Sequence, residues 1–142
     1  MDLYINNTII MNAPAHKVWQ VLTDASLSQE WISTWWPDFE LLESTWNLGS
    51  AVLWRTKGGV VGAQGVVTEV RPFTLLKFTF KPQGQDAPID RITYELSEKG
   101  GFTTLFVSIG NFADTIHHKQ SYDKTMEHWD RALPKIKELS ES

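Results

Sequence analysis

The 142-residue chain contains no cysteine. Disulfides, a thiolate nucleophile and a thiolate metal site are therefore excluded. No run of lysine or arginine is present, and 13 basic residues are outnumbered by 17 acidic ones, for a net charge of −4. Nucleic-acid binding normally leaves a basic patch or stripe, and attraction to an anionic lipid surface needs a basic cluster. Both roles are set aside: no nucleic acid and no membrane insertion are expected. The apolar runs are far too short to span a bilayer. Met1-Asp2-Leu3-Tyr4 has neither the charged start nor the apolar stretch of a secretory signal, so a cytoplasmic location is the expectation. Repeats, low-complexity stretches and linkers are also lacking, which predicts one domain over residues 1–142. What the chain has in excess is aromatic surface: seven Trp, seven Phe and three Tyr. That load points to a large aromatic interior or a concave binding surface.

Residues 3–11 alternate, with Leu3, Ile5, Asn7, Ile9 and Met11 on one face, and read as a strand with one buried side. Asn12 is the expected cap and Pro14 the first-turn residue of a helix carrying Val18, Trp19, Val21 and Leu22. Ser26-Leu27-Ser28-Gln29 has capping-box spacing, so a second short helix should carry Trp31 and Ile32 and end at Pro37. A meander of strands follows: Phe39–Thr45, Ser50–Lys57, a segment within Val60–Val70, Thr74–Lys81, Ile89–Ser97 and Thr103–Gly110. Gly58-Gly59 suits a two-residue hairpin loop, and Gly62 and Gly65 suggest a bulge or a close backbone approach. Pro82 to Pro88 reads as a polar loop. Beyond Asp114, Tyr122, Met126, Trp129, Leu133 and Ile136 recur at intervals of four, three, four and three, one stripe of a long helix that Pro134 should bend.

Short loops make the middle strands antiparallel neighbours. Their apolar face and the stripe of the final helix satisfy each other in a two-layer α+β domain. One helix cannot cover a curved sheet of about six to seven strands. The remaining gap is either filled by aromatics or left as a cavity, closed at one end by the tryptophans of the second helix.

Four stretches carry a resemblance. Ala13-Pro14-Ala15-His16-Lys17-Val18-Trp19-Gln20-Val21-Leu22-Thr23-Asp24, followed by Trp31, resembles the opening of the START-like, or polyketide-cyclase (SRPBCC), superfamily. Gly65 through Pro72 with Leu75-Leu76, Ile92-Thr93-Tyr94-Glu95-Leu96, and His128-Trp129 with Leu133 and Ile136-Lys137 are most similar to the activator of heat-shock-protein-90 ATPase homologue family. The resemblance covers nearly the whole chain in order. It departs at Gly101-Phe102-Thr103, where the family often has a Gly-Thr pair, and at Ile109, where a histidine is often seen. It implies a helix-grip fold: a curved antiparallel sheet wrapped around a long C-terminal helix, with two short helices after the first strand and an apolar hollow between helix and sheet.

The expected ligand-binding set is Trp31, Trp35, Trp36, Trp54, Phe78, Phe80, Tyr94, Val107, Met126 and Trp129, holding an apolar or amphipathic small molecule. Trp35 and Trp36, beside Pro37, read as the pocket mouth, whereas Trp19 and Trp129 sit on regular helix stripes and read first as core. The pocket acid or base candidates are Glu69 and Tyr94, since a carboxylate buried there would have its pKa raised. Arg91 alternates with Ile92 and Tyr94 and is expected to face solvent, as is His16. Asp114, His117, His118 and His128 do not have metal-ligand spacing, and Ser121 lies in no nucleophile elbow. The loose glycines form no phosphate loop. No metal and no cofactor are called for. Three readings remain: a small-molecule binding protein, a chaperone-interacting relative of the ATPase activators, and a cofactor-free enzyme of cyclase or hydrolase type.

Overall fold

The computed structural model describes residues 3–83, 90–112 and 118–142, with side chains in the last segment from residue 121 onward. The elements are β1 (Ile5–Met11), α1 (Ala15–Thr23), α2 (Ala25–Ile32), β2 (Phe39–Glu43), β3 (Ala51–Thr56), β4 (Val61–Arg71), β5 (Leu75–Pro82), β6 (Asp90–Lys99), β7 (Phe102–Gly110) and α3 (His118–Glu141). The seven strands form one antiparallel sheet in the order β1-β7-β6-β5-β4-β3-β2. It curls into a half-barrel, and α3 lies against its inner face to make the α+β helix-grip arrangement.

Alternation sets the inner face. On β7, Thr103, Leu105, Val107 and Ile109 are buried; on β6, Ile92, Tyr94 and Leu96 are. Their register neighbours are in phase, Ile92 opposite Ile109, Tyr94 opposite Val107 and Leu96 opposite Leu105. From α3, Trp129, Leu133 and Ile136 close the same core. Thr103 is fully buried, and its hydroxyl donates to the Ala13 carbonyl (2.7 Å). This bond ties the β1–α1 turn to the sheet and satisfies a polar atom that burial would otherwise penalise.

The short helices start differently from expectation. Pro14, not Asn12, is the residue before α1, and it offers no side-chain cap. The orphan amide of Ala15 instead donates to the Glu98 carboxylate at 2.6 Å. For α2 the cap is Asp24, whose carboxylate accepts from the amides of Ser26 and Leu27 (both 2.9 Å), rather than a box starting at Ser26. Helix α2 ends at Ile32, several residues before Pro37. The Trp31 indole donates to the Val21 carbonyl (2.8 Å), which fixes the angle between α1 and α2.

Three glycines answer to specific local geometry. Gly58 and Gly59 both adopt positive φ, 85° and 79°, in a one-turn 3-10 helix between β3 and β4. At Gly65 a Cβ would collide with the Thr79 carbonyl oxygen, so the close backbone approach inferred from the sequence occurs here. The bulge lies further along β4: register shifts between Val67, opposite Phe78, and Glu69, opposite Lys77. Most of the loop 82–88 lies outside the described residues.

Candidate functional site

Between the inner face of the sheet, the end of α2 and the middle of α3 is a small cavity of about 60 Å³. Strand β6 supplies Asp90, Ile92 and Tyr94, three alternate residues on one face. Phe78 and Phe80 come from β5, Trp54 from β3 and Ile109 from β7. Trp31, Ile32 and Trp35 enter from α2 and the turn after it, and Thr125, His128 and Trp129 from α3.

The rings form a connected wall. Phe80 meets Trp54 edge to face (centroids 4.8 Å apart, 89°), Trp54 meets Phe78 at 5.9 Å, and Phe78 meets Tyr94 at 5.4 Å. Tyr94 in turn meets Trp129 at 6.0 Å, and Trp129 meets Trp31 at 5.7 Å. On the other side His128 lies flat on Trp35, with centroids 4.3 Å apart and planes 15° from parallel, and Trp35 stacks on Trp36 at 5.5 Å. Such contacts add about 0.5–1.5 kcal/mol each beyond area burial, so the rings of the wall stabilise one another.

Three titratable groups face this space. Burial raises the Asp90 carboxyl from 3.8 to about 6. Burial also pushes the Tyr94 phenol well above its ordinary value, so it stays protonated. His128 is lowered, first by burial, with Lys124 and Arg131 acting in the same direction against Glu127. At neutral pH the cavity therefore holds a phenol, a neutral imidazole and a carboxylate that is mostly ionised. Among the described residues, Asp90 has no ion-pair partner and the Tyr94 hydroxyl makes no hydrogen bond.

Of the ten residues expected to bind a ligand, Trp31, Trp35, Trp54, Phe78, Phe80, Tyr94 and Trp129 border the cavity. Trp36, Val107 and Met126 do not. Trp36 is one ring further out, packed on Trp35, on Phe39 and over the open face of Gly62. Val107 is fully buried in the sheet, and Met126 is a partly buried neighbour of the core. Glu69 is not at the cavity. Its carboxylate lies 3.5 Å from Lys77 and 3.8 Å from Arg71 on the outer face, because the bulge after Val67 reverses the alternation there. Arg91 and His16 are exposed. Asp114 and His117 lie outside the described residues, as does the side chain of His118. Among the described residues no group of three or more His, Asp or Glu is placed to hold a metal, and no helix is long and apolar enough to cross a membrane.

Sequence reasoning missed Asp90, Thr125 and His128 along with the aliphatic Ile32, Ile92 and Ile109. Asp90 carried a readable signal: it shares parity with Ile92 and Tyr94. Thr125, four residues before Trp129, and His128, one residue before it, border the apolar stripe without being among its apolar members.

The model of the family described as activator of Hsp90 ATPase homolog 1-like protein matches residues 12–141. No curated protein matches the sequence significantly. Among solved structures, a Mesorhizobium loti protein is 19% identical with a TM-score of 0.80, over 96% of each chain. The Aha1 dimer from Colwellia psychrerythraea is 21% identical with a TM-score of 0.71, covering 98% of this chain and 96% of that one. An HSP90 activator from Plasmodium falciparum is 16% identical with a TM-score of 0.73, covering 94% and 93%. At these identities the structural likeness establishes a shared fold.

Proposed function

The chain belongs to the family of activator of Hsp90 ATPase homolog 1-like proteins, and from that premise we propose that it binds a small amphipathic molecule in the aromatic cavity beneath α3. The observation that carries this reading is the company of the void. A packed interior has few voids larger than a water, whereas this one is walled by seven aromatic side chains, Tyr94 among them, and also bordered by the polar side chains of Asp90, Thr125 and His128.

Size limits the guest. A water-sized sphere needs about 10–15 Å³, so a cavity of about 60 Å³ takes roughly four to six such spheres. Whole drug-sized ligands occupy pockets of roughly 300–1,000 Å³. The cavity therefore suits a very small molecule, or the end of a larger one whose remainder stays at the rim beside Trp35 and His128. Trp31, Trp35, Trp54 and Trp129 border the space, so their fluorescence is the natural reporter. Titration with short amphipathic compounds should give a saturable change in emission, and Ile92→Phe, which narrows the cavity, should weaken it. A flat response across the panel, or an unaltered response in the variant, would overturn the reading.

The family match favours a second reading, a chaperone-interacting protein that stimulates an Hsp90-type ATPase. It is tested by adding the purified chain to such a chaperone and measuring phosphate release. Stimulation that survives Ile92→Phe would place that activity outside the cavity.

A further inference from the structure

We propose that the cavity receives the positively charged head of a small organic ammonium ion, with Asp90 as the counter-charge and the surrounding rings as its cage; this rests on the reading that the cavity binds a ligand. Asp90 lies directly opposite Phe80 on the neighbouring strand, and Phe80 is the ring that meets Trp54 edge to face. Asp90, Ile92 and Tyr94 alternate along one face of β6, so the carboxylate and the phenol border the same space. One negative charge thus sits at the rim of an aromatic wall.

Ring faces carry the negative end of the aromatic quadrupole, and a cation placed over them is attracted most when it is desolvated. Asp90 adds a full opposite charge. It is partly withdrawn from water, which raises its pKa to about 6, and among the described residues no Lys, Arg or His pairs with it. A carboxylate held in apolar surroundings without a partner is costly unless something compensates it. The other titratable groups facing the cavity do not: Tyr94 is a phenol, and His128 is an imidazole whose pKa burial lowers, stacked flat on Trp35. Lys124, Glu127 and Arg131 surround His128 on α3 and are exposed. An anionic guest would meet the Asp90 charge at close range, and an uncharged apolar guest would strip water from it with nothing in return. A cation answers both the rings and the carboxylate, and the chain's net charge of −4 favours its approach.

The test uses probes of one size and three charges. Butylammonium, butan-1-ol and butyrate are titrated at physiological ionic strength while the indole N–H resonances of the tryptophans are followed by NMR. Butylammonium should saturate the shifts of cavity tryptophans at least about tenfold more tightly than butan-1-ol, with butyrate weakest. In Asp90→Asn that preference should disappear while the alcohol affinity stays within about twofold. Equal or tighter binding of the alcohol or of butyrate, or a preference that survives Asp90→Asn, would overturn the ammonium assignment and leave the cavity a binding site. Absence of saturable shifts with all three probes would overturn the binding reading itself.

Discussion

Replacing Asp90 by asparagine should stabilise the protein, and do so only above the pH at which the native carboxyl ionises. The ordinary carboxyl value of 3.8 applies to the unfolded chain, and burial raises the native value to about 6. Between these values the native state binds more protons than the unfolded state, so stability falls as pH rises through the interval and the deficit is complete above about pH 6. A difference of about two pH units at 1.36 kcal/mol each caps the deficit near 3 kcal/mol. Asp90 is only half-buried, so water moderates the cost and about 1–2 kcal/mol is expected. Asparagine has nearly the same shape and no charge. Urea melts of both proteins should show the variant ahead by about 1–2 kcal/mol at about pH 8, with the two converging at about pH 4. Acid effects shared by all other groups cancel in this difference. A variant less stable at the higher pH, or a gap unchanged between the two, would refute an ionised, uncompensated Asp90. A side chain retained at a cost in stability is what a functional position looks like, and stabilisation accompanied by loss of binding is the expected trade-off.

Trp129→Ala should cost about 3–4 kcal/mol in a urea melt. The ring is 8% exposed and touches Trp31 and Tyr94, but it borders a void, which keeps the loss below the top of the usual range; a loss under about 1 kcal/mol would mean that the helix–sheet contact is elsewhere. Gly65→Ala places a methyl against the Thr79 carbonyl and should destabilise by more than about 2 kcal/mol, read as a lowered melting temperature, whereas a neutral outcome would contradict the close approach of β4 and β5. Asp24→Ala removes the acceptor for two amides of α2 and should cost about 0.5–2 kcal/mol by thermal melt, with Asp24→Asn recovering most of it.

The sheet was largely legible because period-two alternation is unambiguous where one face is buried. Thr103, Leu105, Val107 and Ile109 share a face in the sequence and in the fold. The site was legible to the extent that it is aromatic. What escaped has three physical causes. Alternation is lost at a bulge, and the one extra residue between Val67 and Val70 turns Glu69 outward although simple counting puts it beside the cavity. A helix stripe, in turn, identifies the buried face but not which of its flanks borders a void. Met126 belongs to the stripe and misses the cavity, whereas Thr125 and His128 stand beside it and reach the space. Asp90 was hidden for a third reason: a charged residue at the start of a strand reads as solvated unless its parity with Ile92 and Tyr94 is given more weight than its charge.

The first strand is joined to the last. Residues Ile5 to Met11 hydrogen-bond with Ile109 to Thr103, and the contact is reinforced where the Leu3 carbonyl accepts from Phe112 and the Ala15 amide reaches Glu98. During synthesis, therefore, the opening segment emerges with an unsatisfied edge and waits for about ninety more residues before its mate exists. Its apolar side is exposed to misassociation throughout that interval, and a chain halted before residue 102 has nothing to shelter it. A ribosome-bound fragment ending there should be held by chaperones, and release should coincide with the appearance of the closing strand.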